Sequence, residues 1–293
     1  MSGSPTANAV QAAPSSSVGQ QSGRARSVPV LSVRNVIKEY VNLQTGRHVL
    51  ALDDVSFDIM PGEFVSIIGR SGCGKSTLLR MVAGLLQPTK GQIQVEGTTV
   101  RGPGADRGMV FQEYAIFPWK TALENVEFSL LVKGVPPAER RERARHFLAL
   151  VGLKDAEDRY PRELSGGMKQ RVAVARGLCQ QPKVLLMDEP FAAIDAVQRQ
   201  QLQEELSRIC VETQTTVLFV THSVDEAAFL SDRVVVLKPS PGQVIASIDV
   251  DLPRPRTWES MAGSATFNEL RAALLQEIHR GSAIAGASEA EKS

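Results

Sequence analysis

The sequence has few cysteines, no long apolar run and almost no net charge, and each shortage excludes a class of protein. Its three cysteines, Cys73, Cys179 and Cys210, are odd in number and fit no metal-ligand spacing, so they predict reduced thiols rather than disulfides or a zinc site. The longest apolar runs, such as VLLM and TVLFV, are strand-sized and far short of the ~20 residues of a membrane helix. Lys and Arg number 33 against 32 Asp and Glu, which predicts no general electrostatic attraction to nucleic acid or anionic lipid.

The two ends of the chain have the composition of disordered segments. The first 28 residues are rich in Ser, Ala, Gln and Gly, and they contain no acidic residue and no apolar stretch long enough for a secretory signal. A transit peptide is the alternative, because Arg24 and Arg26 lie in this acid-free segment. The last dozen residues, SAIAGASEAEKS, predict a second frayed end.

Hydrophobic periodicity predicts an α/β fold with two additions. From Leu31 to Ile59 apolar and polar residues alternate with period two, which predicts antiparallel strands. The short buried runs FVSIIG, GMVFQ, VLLMDE, TVLFVTH and RVVVL are separated by helical patterns, which is typical of a parallel sheet with helices on both faces. From about residue 120 to 180 the spacing becomes helical with one charged side, and this predicts an inserted helical subdomain.

The same pattern predicts the domain boundaries. Residues 29–256 form one folded domain, following a disordered tail over residues 1–28. Residues 257–293 are too few for a further domain of usual size, and we expect them to form a C-terminal helix and a flexible tail.

A glycine-rich stretch between a buried strand and a helix predicts a phosphate site. GRSGCGKS fits the pattern G-x-x-x-x-G-K-[ST], with the strand before it and the helix after it that this motif requires. The backbone N–H groups would curl around phosphate oxygens, the lysine would reach the β- and γ-phosphates, and the serine hydroxyl would bind Mg²⁺. The alternative is an ordinary glycine-rich turn. The predicted ATP contacts are Gly69, Ser71, Gly72, Cys73, Gly74, Lys75, Ser76 and Thr77.

Cys73 lies inside this turn, just before the helix. Because the N-terminus of a helix carries partial positive charge, we expect the thiolate form of Cys73 to be favoured.

A pair of acids after a buried strand supplies the groups that a magnesium triphosphate needs. In VLLMDEP the strand delivers Asp188 to its carboxyl end, where ligands of open α/β sheets bind. Asp188 would hold Mg²⁺, through water, and Glu189 would polarise the attacking water. Taken alone, two acids at this place are more often a solvated loop, and only the phosphate motif upstream reverses that interpretation.

The order of the motifs resembles a known family. GRSGCGKS, VFQEYAIFPW, LSGGMKQR, VLLMDEP, IDA and VTHS follow one another as in the ATP-binding subunits of ABC transporters, over about Leu31 to Leu252. The resemblance implies a P-loop NTPase core with an antiparallel β subdomain and an inserted α-helical subdomain. It also implies a homodimer in which the LSGGMKQR signature of one copy closes over the ATP of the other, with Ser165, Gly166 and Gly167 acting in trans on the γ-phosphate.

Two further catalytic positions are implied by the resemblance. Gln112, in VFQ, matches the glutamine that contacts Mg²⁺ and the attacking water; otherwise it would be read as a polar strand end. His222, in VTHS, matches the histidine that touches the γ-phosphate, although a lone histidine is more often structural.

Two more positions complete the implied site. Asp195 matches the loop that links the two active sites of the dimer, with Ala192 and Ile194 standing where the family more often has Gly and Leu. Tyr40 stands at about the right distance before the phosphate motif to stack on adenine, and the alternative is a tyrosine that packs within its strand.

An apolar segment after Gln112 indicates a membrane partner. Phe117, Pro118 and Trp119 occupy the stretch that faces the permease in the family, and they suit a groove for a short helix of a membrane protein. Core packing is the alternative, equally weighted for Phe117 and less favoured for Trp119.

Together with LPRPR at 252–256, FPW is similar to the corresponding segments of the subgroup of nitrate, sulfonate and taurine importers. The resemblance thus implies permease subunits, indirectly a substrate-binding protein, and a peripheral location at the cytoplasmic face of the cell (inner) membrane.

Three rival functions remain. An ABC ATPase acting on nucleic acid or ribosomes is disfavoured, because the chain has one phosphate motif and only about fifty residues between Gln112 and Ser165. An ABC exporter subunit is not distinguished by these motifs. A non-catalytic nucleotide-binding scaffold is disfavoured because Lys75, Glu189 and His222 are all present.

Overall fold

A computed structural model describes residues 28–41 and 46–290 of the chain. The tail predicted over residues 1–28 lies, apart from its last residue, outside the described residues. The strands are β1 (Leu31–Val41), β2 (His48–Ile59), β3 (Phe64–Ile68), β4 (Lys90–Val95), β5 (Thr98–Thr99), β6 (Arg107–Val110), β7 (Val184–Asp188), β8 (Val217–Val220), β9 (Arg233–Lys238) and β10 (Gln243–Asp249).

Helices lie between some of these strands and after the last one. They are α1 (Lys75–Val82), α2 (Ala122–Val132), α3 (Pro137–Leu150), α4 (Gly166–Cys179), α5 (Ala196–Thr213), α6 (Val224–Leu230), α7 (Trp258–Ala262) and α8 (Ala265–Ala290), with single 3₁₀ turns at Lys154–Ala156 and Pro161–Glu163. Within the described ranges, no helix combines the length and apolar composition needed to cross a bilayer.

The central sheet has six strands in the order β10-β9-β3-β8-β7-β6. The strands from β9 to β6 run parallel, and β10 pairs antiparallel with β9 at one edge. Every residue of β3, β7 and β8 is buried, as expected for strands covered by helices on both faces. The carboxyl ends of these three strands lie at one edge of the sheet, and the loops that follow them build the site described below.

A second, antiparallel sheet carries the N-terminal strands. Its order is β2-β1-β4-β5, and β1 pairs with both β2 and β4. Apolar side chains from this sheet, including Val33, Val55 and Ile59, share one hydrophobic core with α1 and one face of the central sheet. The alternation of apolar and polar residues in this region therefore does produce antiparallel strands.

The helices α2, α3 and α4 form a lobe beside the central sheet. Their buried side chains, such as Leu130, Leu148 and Val172, belong to a second core that continues onto the opposite sheet face. The α/β fold class predicted from the sequence, with an antiparallel subdomain and a helical subdomain, is confirmed.

Two element boundaries differ from the sequence predictions. GMVFQ predicts a strand through Gln112, but β6 ends at Val110 and the next side chain, Phe111, is already exposed. β6 is the last strand of its sheet, so only one neighbour can hold its end in place. At the C-terminus, α8 continues to Ala290, through most of the stretch where the sequence predicts fraying.

Candidate nucleotide-binding site

The glycine-rich stretch forms a tight loop between β3 and α1. Gly72 and Gly74 have φ of +82° and +93°, in the left-handed region that side chains with a Cβ disfavour. A Cβ on Gly74 would also lie 2.5 Å from Cδ2 of Leu52, whereas one on Gly72 would meet nothing within 4 Å. Helix α1 begins at Lys75, and its first N–H groups have no acceptor inside the helix. The loop therefore presents backbone donors and a partial positive charge to one concave surface.

Lys75 lies inside this loop. Its side chain is 6% exposed, and its Nζ donates to the carbonyl oxygens of Gly69 at 3.0 Å and Arg70 at 3.4 Å. The ammonium is thus held at the centre of the curve by the loop itself, where it adds a full positive charge to the backbone donors. This combination suits the phosphates of a nucleotide.

Ser76 and Asp188 meet beside the loop. The hydroxyl of Ser76 donates to Oδ1 of Asp188 at 2.9 Å, which joins the start of α1 to the carboxyl end of β7. Burial raises the pKa of the Asp188 carboxyl above its ordinary value, and the hydrogen bond from Ser76 opposes that shift. A buried carboxylate beside a hydroxyl oxygen is stabilised by a hard cation such as Mg²⁺.

The donor set is small. Among the residues that the structure describes, no group of three or more His, Cys, Asp or Glu side chains could hold a metal. One carboxylate and one hydroxyl fit Mg²⁺, since this ion is usually held by one or two carboxylates together with substrate phosphates and water.

Glu189 directly follows Asp188 and contacts His222. Oε2 of Glu189 lies 2.9 Å from Nδ1 of His222, which follows the end of β8. Glu189 has a φ of +44°, uncommon for a residue with a side chain, and its N–H donates to the carbonyl of Val220 at 2.9 Å. The chain therefore turns sharply after β7, and the structure brings these two predicted catalytic residues together.

Gln112 and Tyr40 come from the ends of two other strands, β6 and β1. Gln112 is exposed and stands two residues beyond the end of β6, which neighbours β7. Within the described residues, no hydrogen bond joins it to Ser76 or Asp188. Tyr40 lies near the end of β1 with 42% of its surface exposed, and the Nζ of Lys38 is 5.2 Å from the centre of its ring.

The signature turn is a separate structure. Ser165 is the N-cap of α4, and its hydroxyl accepts from the N–H of Met168 at 3.3 Å. Gly166 and Gly167 form the first turn of that helix, where a Cβ on Gly167 would lie 2.7 Å from Oε1 of Gln198. In the part of the chain that the structure describes, no hydrogen bond or ion pair links this turn to the phosphate loop. Gly166 and Gly167 therefore form an anion-attracting helix start of their own.

Asp195 caps the neighbouring helix. Its Oδ1 accepts from the N–H of Gln198 at 3.1 Å at the start of α5. Because Gln198 also packs against Gly167, the loop of Asp195 adjoins the signature turn rather than the phosphate loop.

The expectation for Cys73 is wrong. Its thiol is fully buried, and burial raises its pKa above the ordinary value despite the nearby Lys75. The side chain lies within the buried cluster that β1 and α1 also line, and the N–H of Lys75 and the charge of its ammonium only partly offset the effect of burial. Loss of hydration outweighs the attraction of the helix N-terminus, so Cys73 is a thiol, and only its backbone remains a candidate phosphate contact.

An apolar groove lies next to the helical lobe. It is a cavity of about 510 Å³ whose lining includes Met109, Phe111, Phe117, Phe128 and Val132. Phe117 packs edge-on against Phe128 with ring centres 4.6 Å apart and lies 5.6 Å from the ring of Trp119. Trp119 is 70% exposed, so it is not a core residue.

Two residues that sequence reasoning missed hold the wall of this groove. Asn125 is fully buried, and its amide bonds to the backbone of Phe117, Lys120 and Thr121 over 2.7 to 3.2 Å. Arg176, from α4, donates to the carbonyl of Ala115 at 2.6 Å. In the sequence, Asn125 is a polar residue among the apolar positions of α2, and this exception to the pattern could have indicated a buried, hydrogen-bonded role.

Comparison with known proteins matches this arrangement to one family. The family described as ABC transporter matches residues 52–192. An uncharacterised ABC transporter ATP-binding protein of Methanocaldococcus jannaschii is 52% identical over 81% of this chain and 88% of its own length. A nitrate import ATP-binding protein of Synechococcus elongatus is 49% identical over 83% of this chain, although that match covers only 38% of the longer relative.

A solved structure has the same fold. It is an ATP-binding cassette captured as a dimer in a post-hydrolysis state with ADP and phosphate bound. It is 33% identical to this chain, covers 76% of it and aligns over its own full length with a TM-score of 0.66.

Proposed function

The chain belongs to the family of ATP-binding subunits of ABC transporters, and we propose that it hydrolyses ATP to power an importer of a small molecule. The observation that carries the proposal is the convergence of Lys75, Ser76, Asp188, Glu189 and His222 at the carboxyl edge of the central sheet. A nucleotide-binding turn alone would suit many proteins. A carboxylate beside it that is oriented by a histidine supplies the group needed for hydrolysis.

Binding of the nucleotide would use the phosphate loop. The N–H groups from Gly72 to Thr77 and the ammonium of Lys75 would hold the phosphates. Ser76, Asp188 and Gln112 would hold Mg²⁺, which when bound neutralises charge on the β- and γ-phosphates. Tyr40 would stack on adenine, which its 42% exposure permits.

Hydrolysis would use Glu189 as general base. Its carboxylate would accept a proton from a water molecule whose oxygen attacks the γ-phosphorus, and the bond from that phosphorus to the β,γ-bridging oxygen would break to leave ADP and phosphate. His222, 2.9 Å from Glu189, would fix the direction of the carboxylate and contact the γ-phosphate. Removing either residue should therefore reduce turnover more than binding.

The second half of the site would come from a partner copy. Ser165, Gly166 and Gly167 start a helix and suit the γ-phosphate, yet among the described residues no hydrogen bond or ion pair joins them to the phosphate loop. A head-to-tail dimer would place this turn over the partner's nucleotide, and Asp195 would lie between the two sites. The dimeric state of the related cassette, solved with ADP and phosphate, supports this assembly. ATP would hold the dimer closed, and loss of the γ-phosphate would release it.

The permease would dock in the groove beside the helical lobe. The cavity of about 510 Å³, with Phe117 in its wall and Trp119 exposed at its rim, suits the apolar side of a short helix. Docking would hold the chain at the cytoplasmic face of the cell membrane. The transported molecule would be chosen by the permease and a substrate-binding protein. The nitrate import relative supports a nitrate-like cargo, and the FPW and LPRPR segments extend the proposal to sulfonate- and taurine-like molecules.

The domain boundaries follow the same proposal. Residues 29–256 would be the ATPase domain, and the helices after residue 256 would be an extension that packs on it.

The test is nucleotide-driven dimerisation coupled to turnover. In size-exclusion chromatography, the Glu189→Gln variant should elute as a dimer with Mg²⁺ and ATP and as a monomer with ADP. The wild-type chain should release phosphate at a rate that rises more steeply than linearly with protein concentration. A monomeric Glu189→Gln variant under saturating ATP, together with linear kinetics, would contradict the proposal. Purification with its membrane partner, followed by transport assays with nitrate and taurine, would then identify the cargo class.

A further inference from the structure

His222 has a nearly unsupported ring. Its side chain is 61% exposed, and within the described residues its ring has one polar contact, with Glu189. The position of the ring is therefore set by the backbone that carries it. What holds that backbone decides how well His222 can direct Glu189.

Glu226 contacts the residues on both sides of His222. Its Oε2 accepts from the hydroxyl of Thr221 at 2.6 Å, and its backbone N–H donates to the hydroxyl of Ser223 at 3.3 Å. Thr221 and Ser223 are also joined directly, because the N–H of Ser223 donates to Oγ1 of Thr221 at 3.0 Å. The three residues enclose the backbone of His222 in a closed ring of hydrogen bonds.

The other carboxylate oxygen of Glu226 is linked through α5 to the C-terminal segment, the residues after 256. Oε1 accepts from Nε2 of Gln203, on α5, at 3.1 Å, and Oε1 of Gln203 accepts from the indole N–H of Trp258 at 3.0 Å. Trp258 stacks on Phe229 of α6 with ring centres 4.4 Å apart and planes 7° apart. A second link joins Arg271 of α8 to Asp225 of α6.

The residues that make these contacts are buried, and their hydrogen bonds satisfy both carboxylate oxygens of Glu226. Thr221, Gln203 and Glu226 are 1%, 1% and 7% exposed. A buried carboxylate costs stability unless it is fully bonded, and a hydrophobic residue would pack at this place more cheaply. Glu226 instead bonds to Thr221 and Ser223, the two neighbours of the exposed His222. This arrangement indicates that Glu226 does more than fill space in the core.

We propose that Glu226 is a positioning residue for His222, braced from the C-terminal segment through Gln203 and Trp258. The inference rests on the proposed function, in which His222 directs Glu189. It adds that the segment after residue 256 controls the hydrolysis step, so a change there should alter turnover without altering nucleotide affinity.

The first test compares two substitutions of Thr221. Thr221→Val removes the hydroxyl at nearly constant volume, and Thr221→Ser keeps it. We expect Thr221→Val to lower kcat for ATP about tenfold or more, because a small misplacement of a catalytic group has effects of this size, while KM changes less than about threefold. Thr221→Ser should retain most of the wild-type kcat. Equal kcat in the two variants would overturn the proposal.

The second test uses the acid and a matched control acid. Glu226→Ala should lower kcat as Thr221→Val does, and Glu226→Gln, which keeps one acceptor oxygen, should recover part of it. Glu63→Ala is the control: Glu63 is also a largely buried acid with bonded oxygens, to Arg233 and to the N–H of Met60, but it contacts neither Glu226 nor the segment after residue 256. Its kcat should stay within about twofold of wild type. A loss in Glu63→Ala as large as in Glu226→Ala would show general destabilisation and overturn the proposal.

A spectroscopic readout separates positioning from folding. The chain has two tryptophans, so 5-fluorotryptophan labelling gives two ¹⁹F signals, and Trp258→Phe assigns one of them. In the wild-type chain, adding Mg²⁺ and a non-hydrolysable ATP analogue should shift the Trp258 signal, and in Glu226→Ala that shift should disappear while the signal stays sharp. An unchanged Trp258 signal in the wild type, with the nucleotide bound, would overturn the proposal. If the wild-type chain hydrolyses no ATP at all, the proposed function fails instead, and the two failures are thereby distinguished.

Discussion

Nδ1 of His222 lies 2.9 Å from Oε2 of Glu189, although the two residues are 33 positions apart in the chain. Glu189 follows β7 and His222 follows β8, and these strands are parallel neighbours whose carboxyl ends meet at one edge of the sheet. The contact therefore follows from the topology. Of the two adjacent acids, Asp188 accepts a hydrogen bond from Ser76, whereas Glu189 is oriented by His222 and can accept a proton from a water molecule.

Replacing Glu189 by Gln should abolish turnover while leaving ATP bound. The amide cannot accept a proton from water, so we expect phosphate release to fall by about 100-fold or more, with the Kd for ATP nearly unchanged. Malachite-green assays and fluorescent-nucleotide titration measure the two quantities. Glu212→Gln, at an exposed ion pair with Arg208, is the control and should behave as wild type. Wild-type turnover in Glu189→Gln would show that another group is the base.

Two glycines give a matched test of the phosphate loop. Gly72 and Gly97 have φ of +82° and +77°, and a Cβ on either would meet nothing within 4 Å. Replacing each by Ala should cost a similar free energy of unfolding, about 1 kcal/mol, because both backbones are left-handed. Only Gly72→Ala should weaken ATP binding, by about tenfold or more, equivalent to about 1.4 kcal/mol. Equal ATP affinity in the two variants would place the nucleotide elsewhere.

The three cysteines should be unreactive in the folded chain. All are buried, and burial raises the pKa of Cys179 and Cys210 to about 12 and that of Cys73 above its ordinary value. At a pKa of about 12, fewer than about one thiol in ten thousand is ionised at pH 7.5. Because the thiolate is the reactive form, maleimide labelling should be slow at neutral pH and should accelerate as the pH rises. Mass spectrometry should find three labels only after unfolding in urea, and rapid labelling of Cys73 in the native chain would contradict its burial.

Arg256 should contribute strongly to stability. Its guanidinium is 3% exposed and donates to the carbonyls of Phe229, Ser231 and Leu252 at 2.8 to 2.9 Å. Arg256→Met would leave these acceptors without their donor, and we expect a loss of about 3 kcal/mol or more in the free energy of unfolding. Urea denaturation measures it. Arg208→Met, at an exposed ion pair, should cost less than about 1 kcal/mol. Similar losses in the two variants would contradict this account of the LPRPR segment.

Local patterns predicted much of the fold, including the glycine-rich loop between β3 and α1. Alternation from Leu31 to Ile59 gave the antiparallel strands, and the buried runs gave the parallel ones, because each depends on a repeat of two residues or on burial from both faces. Ser76 and Asp188 were each predicted to bind the same Mg²⁺, and the structure places their side chains in contact. These features are encoded within a few neighbouring residues.

Long-range packing set the features that the sequence did not reveal. The environment of Cys73 depends on β1 and on the sheet beneath it, so an argument from the helix N-terminus alone chose the wrong protonation state. Asn125 and Glu226 are buried polar residues, and their sequence neighbours do not identify the backbone groups or side chains they bond. The end of β6 at Val110 reflects its place at the edge of the sheet, which no periodicity records.

Complementation between two damaged copies tests the shared site most directly. Lys75→Ala removes the ammonium group that is proposed to hold the phosphates. Ser165→Asp keeps the helix cap of α4 but places a negative charge at the signature turn. Each variant alone should be inactive, and Ser165→Asn should confirm that a neutral cap at this position is tolerated. In an equimolar mixture, half of the dimers pair the two variants, and each of these has one intact site, so about a quarter of the wild-type ATPase rate should return. If both variants fold and associate but their mixture recovers no phosphate release, the site is not shared between two copies and the account is wrong.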